Sequence, residues 1–344
     1  MFEKIRSLIF KFDPEMAHDL AINALKTNIV PVKIKTYQRL KINFLEKEIP
    51  NPIGIAAGFD KNAEVYNSLF KLGFGFVEVG TITPEPQYGN PKPRVFRLEE
   101  DEALINRLGF NNVGSEKASM NINKNTPKGL LGINIGPNKD TKNRLDDYLK
   151  CLRRLNNLSD YITINISSPN TENLRSFHNP KELDELLNAI YEEKNKLNTK
   201  LNFAVKIAPD LKSNDIDVIG NILLKNHIKL VIISNTSDAT RGNLKNINKF
   251  EKGGLSGKPI EEKSNLLIKE FYKMFNNKIK IIGVGGVDSG KSAYKKFISG
   301  ANYIQLYTGM VYQGPNIVNK ISGELNDILI SNGVENIQDI VGSN

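Results

Sequence analysis

Between residue 51 and about residue 320 the chain repeats one pattern: a short apolar and β-branched run, a turn, then a stretch with helical periodicity. The runs are Ile53–Ala57, Phe76–Val79, Leu130–Ile135, Tyr161–Ile166, Phe203–Ile207, Leu230–Ser234, Lys280–Val284 and Tyr303–Leu306. They read as strands. Helical stretches lie between most of them, for example Lys181–Leu197, Ser213–Asn226, Ile260–Phe275 and Ser289–Ser299. Roughly eight parallel strands with helical crossovers is the number that closes a barrel. The expected fold class is therefore α/β, a (β/α)8 TIM barrel, preceded by a small N-terminal helical extension. An open doubly wound sheet is the alternative. It is weaker because no G-x-G-x-x-G follows the first strand.

The 344 residues suffice for a large core, and 40% hydrophobic with 25% charged residues is ordinary for a soluble globular chain. The formal net charge is +9 without a Lys/Arg block or interleaved aromatics. That argues against a nucleic-acid groove and suits anionic lipid or acidic metabolites equally. Cys151 is the one cysteine, which excludes an internal disulfide or a cysteine-ligated iron–sulfur cluster within this chain. His18, His178 and His227 have no metal-ligand spacing. No apolar run approaches the ~18 residues of a membrane span, and charge breaks the apolar core a signal peptide would need.

Ahead of the repeat, Phe2, Ile5, Ile9 and Phe12 share a helical face, with Lys4, Arg6 and Lys11 elsewhere. Asp13-Pro14-Glu15 starts a second helix: an N-cap, a proline in the first turn, and an acid at the positive dipole end. Two short amphipathic helices with basic flanks suit a bilayer surface, though the pattern alone fits packing on the domain behind them slightly better. Ile42, Phe44 and Ile49 then suggest a small strand pair plugging one end of the next domain. The expected division is 1–40 for the extension and linker, and 41–344 for the barrel.

In a barrel, chemistry sits at the carboxyl ends of the strands, and polar residues gather there. The first strand ends in Ala56-Ala57-Gly58-Phe59-Asp60-Lys61, the second in Gly80-Thr81, the third in Asn134. The fourth runs into Asn165-Ile166-Ser167-Ser168-Pro169-Asn170, where proline stops the strand and leaves two amides and two hydroxyls at its end. Amides can hold a flat polar heterocycle edge-on, and a hydroxyl could move a proton. Taken alone, such a stretch is more often a capped turn. Lys206 inside the fifth strand is more telling. Facing outward it would meet apolar helices; facing inward it requires an anionic partner. The sixth strand ends in Ser234-Asn235-Thr236. A glycine-rich seventh loop, Gly283–Gly286, and Tyr307-Thr308-Gly309 after the eighth lie where barrels commonly bind phosphate.

These residues resemble the dihydroorotate dehydrogenase family, in its quinone-dependent, membrane-associated class. The motifs are AAGFDKN at 56–62, GFVEVGTITP at 75–84, PKPRVFRL at 91–98, INRLGFNN at 105–112, GINIG at 132–136, NISSPNT at 165–171, VKIAPD at 205–210, GGLSGKP at 253–259 and IIGVGG at 281–286. The resemblance implies FMN on the barrel and oxidation of dihydroorotate to orotate, in pyrimidine synthesis. By matching motif position, FMN would be held by Ala57, Gly58, Lys61, Thr81, Asn134, Asn165, Lys206, Ser234, Gly257, Gly286, Tyr307 and Thr308. Substrate would be held by Lys61, Asn106, Arg107, Leu108, Gly109, Phe110, Asn165, Asn170, Asn235 and Thr236. Ser234 stands where this class usually has Thr, and Thr308 where it often has Ser; both keep a hydroxyl.

The soluble classes look like NxSCPN, with cysteine as the base. Here Ser168 occupies that position, which implies serine as catalytic base and a membrane quinone as acceptor. Cys151 lies in a predicted helix as inert packing. The resemblance also implies that the N-terminal helices touch the lipid bilayer, that the quinone tail enters between them, and that the chain is a monomer without nucleic-acid partners. The short N-terminus without an Arg/Ser-rich, transit-like leader points to the cytoplasmic face of a bacterial inner membrane. Thr171–His178 is a candidate lid. The rivals are a soluble dehydrogenase using fumarate or NAD, a colourless sugar-phosphate barrel enzyme, and a non-catalytic membrane-surface module.

Overall fold

The computed structural model describes residues 2–29, 32–171, 174–239 and 241–344. Helix α1 (Phe2–Ile9) and helix α2 (Pro14–Lys26) open the chain. Asp13 caps α2 as its sequence predicts, accepting from the N–H groups of Glu15 and Met16 at 2.9 and 3.0 Å. Strands β1 (Ile42–Phe44) and β2 (Lys47–Ile49) then pair as an antiparallel hairpin. The expected strand pair is thus present, and it plugs the barrel. Phe44 stacks on Tyr303 at 4.2 Å and on Tyr161 at 5.4 Å, and meets Phe76 at 5.0 Å.

The chain continues as β3 (Ile53–Ile55), α3 (Tyr66–Lys71), β4 (Phe76–Ile82), β5 (Val95–Leu98), β6 (Ala103–Asn106), α4 (Gly114–Lys124), β7 (Leu130–Ile135), α5 (Arg144–Leu155) and β8 (Tyr161–Asn165). It goes on through α6 (Pro180–Lys196), β9 (Asn202–Ile207), α7 (Ser213–Lys225), β10 (Leu230–Ile233), β11 (Gly254–Gly257), α8 (Glu261–Phe275) and β12 (Lys280–Val284). It closes with α9 (Gly290–Ile298), β13 (Tyr303–Leu306), α10 (Thr308–Gln313) and α11 (Ile317–Ser331).

Eight strands close a barrel in the order β3-β4-β7-β8-β9-β10-β12-β13, every neighbouring pair parallel. These are the eight apolar runs of the sequence. The barrel interior is packed, as the neighbouring strands β3 and β4 show. A Cβ on Gly54 would lie 2.5 Å from the Phe76 ring, so that strand position must be bare for the ring to fill the interior.

Three strands have no clear sequence signal. β5, β6 and β11 form an antiparallel sheet in the order β11-β6-β5. Each is four residues long and set among polar residues, too short for a period-two pattern to stand out. Leu98, Ala103, Ile105 and Leu255 of this sheet form a second core with Leu244 and Ile260. Glu102, Leu104, Asn106, Ser256 and Gly257 turn from it toward a cavity at the carboxyl ends of the barrel strands.

Candidate active site

The cavity rests on a buried polar floor. Glu78, fully buried on β4, accepts from Asn134 Nδ2 at 2.8 Å, Tyr161 Oη at 2.9 Å and Gln305 Nε2 at 2.9 Å. Three donors are what a carboxylate needs to stay in a barrel interior. Asn134 Oδ1 in turn accepts from Thr81 Oγ1 at 2.7 Å and Asn165 Nδ2 at 3.1 Å. Asn165 Oδ1 accepts from Ser167 Oγ at 3.0 Å. Strands β4, β7, β8 and β13 are thereby tied just beneath the site.

Ala57, Gly58, Lys61, Thr81, Asn165, Lys206, Ser234, Gly257, Gly286, Tyr307 and Thr308 line this one cavity. Ser168, Asn106, Leu108, Gly109, Phe110, Asn170, Asn235 and Thr236 line it too. Asn134 lies in the floor beneath. Arg107 turns to the rim, with Nη1 2.6 Å from Glu251 and its guanidinium 4.5 Å from the Phe96 ring centre.

Two lysines give the site its charge. Lys206 is buried and points into the cavity, and its ammonium makes no hydrogen bond or ion pair among the described residues. Burial lowers its pKa, and the Glu78 carboxylate beneath opposes that. Such a group is prepared for an electron-rich or anionic ligand. Lys61 is lowered to about 8 by burial, against the pull of Glu15 and Asp19. Its Nζ lies 3.2 Å from His18 Nε2 on α2. An ammonium can only donate, so Nε2 accepts. Burial, with Lys61 adding to it, lowers His18 to about 3 and keeps the imidazole neutral.

Ser168 is nearly buried, and its Oγ accepts from the Asn170 N–H at 3.2 Å. No His, Asp or Glu hydrogen-bonds it among the described residues. The loop around it is pinned from several sides. Asn170 Nδ2 donates to the Asn106 carbonyl at 3.0 Å, and Asn235 Nδ2 to Ser167 Oγ at 3.0 Å. Arg175 donates to the carbonyls of Ser167 and Thr236, each at 3.3 Å, and pairs with Asp238 at 3.0 Å. The candidate lid Thr171–His178 includes residues 172 and 173, which lie outside the described residues. Its later part forms a turn with Leu174 and Phe177 buried. Cys151 is buried in α5, its thiol facing the Ile82 carbonyl at 3.7 Å. Burial raises its pKa, consistent with inert packing.

The remaining wall suits a flat cofactor carrying a phosphate. Val284–Asp288 after β12 and Tyr307–Gly309 after β13 both face the cavity. Gly257 has φ +99°, and a Cβ there would sit 2.9 Å from Thr308 Cγ2 and from Ala103 Cα. Only glycine lets the β11 backbone come this close. Ser256 Oγ and Thr308 Oγ1, 2.8 Å apart, hold the two segments together.

A second, apolar cavity opens beside the first. Phe2, Ile5, Ile9, Leu20 and Ala24 of α1 and α2 face Met310 and Val311 across it. Lys61, Val95, Leu104, Leu108 and Tyr307 border both cavities, so a path runs from between the helices to the site. Among the described residues no helix is long and apolar enough to cross a membrane. No group of His, Cys, Asp and Glu among them could hold a metal.

Some residues at the site escaped the sequence reading. Glu78 is the clearest, since a carboxylate in an otherwise apolar strand carries the same warning as Lys206. Arg94, Asn90 and Arg175 act through carbonyls, a role residue type does not announce.

The comparisons with known proteins agree with this geometry. The family model described as dihydroorotate dehydrogenase matches residues 39–329. A relative from Nitrosomonas europaea named dihydroorotate dehydrogenase (quinone) is 44% identical over 330 residues, 93% of this chain and 96% of its own. One of the same name from Bartonella tribocorum is 44% identical, over 97% of this chain and 94% of its own. The crystal structure of DHODH from Eimeria tenella in complex with ferulenol superposes with a TM-score of 0.93 at 38% identity, covering 96% of this chain and 95% of that one. On the strength of that coverage and of the shared barrel, the chain belongs to the dihydroorotate dehydrogenase family.

Proposed function

We propose that this chain catalyses the FMN-dependent oxidation of (S)-dihydroorotate to orotate, with a membrane quinone as final electron acceptor, in de novo pyrimidine (UMP) synthesis. Enzymes of the family are flavoproteins, and its curated relatives carry the quinone acceptor in their names. The observation that carries the reading is Lys206: a buried, unpaired ammonium aimed into the cavity at the carboxyl ends of the barrel strands. Bound there, FMN supplies the two-electron acceptor that the carbon skeleton of the substrate lacks.

The residues proposed to hold it are Ala57, Gly58, Lys61, Thr81, Asn134, Asn165, Lys206, Ser234, Gly257, Gly286, Tyr307 and Thr308. Asn134 acts from below, by fixing Thr81 and Asn165. Lys206 would hold positive charge beside the cofactor and so favour its reduction. Lys61 and Asn106 through Phe110, with Asn165, Asn170, Asn235 and Thr236, position the carboxylate and pyrimidine edge of the substrate. Arg107 serves by holding that loop to Glu251.

Ser168 Oγ, its own proton passed to water as it acts, takes the proton from C5, next to the C4 carbonyl, and ends as a neutral hydroxyl. C6 gives up a hydride, and the C5–C6 double bond of orotate forms. A serine hydroxyl is a weak base at neutral pH. The Asn170 N–H on its oxygen favours the deprotonated form, and burial keeps competing water away.

The extension, residues 1–40, is proposed as the quinone path and the lipid contact; residues 41–344 are the catalytic barrel. Ile5, Leu8, Phe12, Met16 and Leu20 are exposed along α1 and α2. An apolar stripe of that kind suits the acyl boundary of a bilayer. The protein would lie as a monomer on the cytoplasmic face of the inner membrane.

The test is an absorbance titration. The purified protein should be yellow with FMN, and dihydroorotate should bleach it without oxygen. Ser168→Ala should keep FMN and bind orotate, while bleaching slows by roughly 10²–10⁴-fold. A variant bleached at the wild-type rate removes Ser168 as base. A colourless protein that FMN cannot reconstitute ends the whole reading.

A further inference from the structure

Residues 244–252 form a well-built turn whose two largest apolar side chains face solvent. Leu244 anchors it in the second core with Leu98 and Ile105. Asp101 accepts from the N–H groups of Lys245 and Asn246 at 2.9 and 3.0 Å. Arg241 donates to the Lys249 carbonyl at 3.3 Å and to the carbonyls of Glu251 and Gly253. The fold is thus complete without Ile247 and Phe250, which are 77% and 76% exposed. Single exposed apolar residues need no explanation. Two presented together by a rigid turn are a patch.

The place and charge of this patch say what covers it. Asn248 Nδ2 donates to the Arg97 carbonyl at 3.0 Å, and Arg97 Nη1 donates to the carbonyls of Phe12 at 2.8 Å and Phe10 at 3.2 Å. One β5 residue therefore joins the turn to the α1–α2 corner, where Phe12 is also exposed. Lys245 and Lys252 flank the patch, exposed and without an ion pair among the described residues. Of the acids beside the turn, Glu251 pairs with Arg107 at 2.6 Å, Asp101 is taken up by the N–H groups of Lys245 and Asn246, and Glu100 accepts from Asn246 Nδ2. Lys4 and Lys11, exposed and without an ion pair among the described residues, add positive charge beyond the corner.

We propose that the Ile247–Phe250 turn is a second lipid-contact element, seating its two apolar side chains in an anionic bilayer surface while Lys245 and Lys252 meet the headgroups. It rests on the membrane reading above and extends it from the N-terminal helices to the barrel itself. Two separated anchors would fix the tilt of the barrel, and with it the aim of the apolar cavity at the bilayer.

The full-length holoenzyme is sedimented with vesicles of phosphatidylcholine, with or without phosphatidylglycerol. I247S/F250S should lower partitioning onto the anionic vesicles roughly tenfold. Bleaching by dihydroorotate should be unchanged, because neither residue lines the site. K245E/K252E should lower partitioning on anionic vesicles and leave the neutral ones unaffected. If the wild type partitions and I247S/F250S partitions equally, the proposal is overturned while the membrane reading stands. If the wild type does not partition at all, both fall. If the wild type sediments as a dimer that I247S/F250S dissolves, the patch is a subunit contact and the proposal is again overturned.

Discussion

Glu15 on α2 and Arg94 on the barrel rim are joined by two hydrogen bonds, Nε to Oε2 at 3.0 Å and Nη2 to Oε1 at 2.6 Å. Burial alone would raise the Glu15 pKa, but the Arg94 hydrogen bonds and charge, helped by Lys92 and Lys61, outweigh it and hold the carboxyl below its ordinary value. None of the α2 residues is fully buried, so polar ties matter to its seating. Ser68 Oγ to the Leu25 carbonyl at 2.7 Å, Lys26 to Glu64 at 2.8 Å, Lys61 to His18 at 3.2 Å and Lys92 to Glu15 at 3.5 Å add to it.

Glu15→Gln should therefore loosen α2 by roughly 1.5–3 kcal/mol, the worth of a hydrogen bond to a charged group. The carboxylate contributes above its unfolded pKa and its contribution is lost as pH falls through the lowered folded value, so acid should mimic the substitution. Hydrogen exchange of the α2 amides should speed up, and the KM for a hydrophobic quinone should rise. Reduction by dihydroorotate with a soluble acceptor should change little. Unaltered α2 protection would show that apolar packing alone holds the helix.

Asn90 links that rim to the catalytic loop. Its carbonyl accepts from Arg94 Nη1 at 2.8 Å, while its Nδ2 donates to the Arg107 carbonyl at 2.9 Å and the Asn170 carbonyl at 3.4 Å. It lines neither cavity and reaches the wall only through backbone carbonyls, so its effect is positional. Asn90→Ala removes these two bonds and the one its Oδ1 accepts from Lys139 at 3.2 Å, and leaves the direct Asn170–Asn106 contact to hold residues 106–110 to the segment after Ser168. Orotate affinity should fall roughly tenfold, about 1.4 kcal/mol, with FMN content unchanged. Asn90→Ser, which keeps a short donor, should recover part of the loss. An unchanged orotate Kd in Asn90→Ala would remove the role.

What the sequence reveals divides along physical lines. The barrel is legible because β8 and β9 are buried on both faces, and a run such as Tyr161–Asn165 has few other uses. Lys206 is legible because charge inside a strand demands a reason. The β5-β6-β11 sheet is not, since four-residue strands carry no period and β6 takes one of its partners from about 150 residues away, Leu104 pairing with Ser256. Asn90 and Arg175 are invisible for another reason: they bind main-chain carbonyls, whose positions only the fold creates. Arg107 shows the limit of motif transfer. It sits within the loop that the resemblance marks, yet its side chain faces the rim.

The lowered pKa of Lys61 makes anion binding depend on pH. Burial pulls it to about 8. Below that value the ammonium is charged and meets the carboxylate of dihydroorotate or orotate. Above it, the charged fraction falls tenfold per unit, so binding must take up a proton. The orotate Kd should be flat from pH 6 to about 7.5 and then rise toward tenfold per unit. Lys61→Met should weaken binding at pH 7 and flatten the profile. A wild-type Kd constant to pH 9.5 would assign the carboxylate to other donors.

Lys296 provides a test of the barrel itself, away from the chemistry. It is fully buried between α9 and α8, donating to Asn265 Oδ1 at 2.9 Å and Ser264 Oγ at 3.0 Å. Both partners are neutral. Burial lowers its pKa to about 7, with Glu261 opposing. Between about pH 7 and the ordinary value near 10.5, the unfolded chain holds a proton that the native chain lacks. Stability should therefore rise with pH across that window, by up to about 1.4 kcal/mol per unit, and be flat below it, where both states are charged. Lys296→Met keeps the length of the side chain and removes the titration. Urea unfolding of the two proteins from pH 6 to 9 should give curves that converge as pH rises, with the variant the more stable at pH 6. Parallel curves would mean that the ammonium keeps its ordinary affinity for a proton, and that the two neutral oxygens suffice to hold its charge in the core.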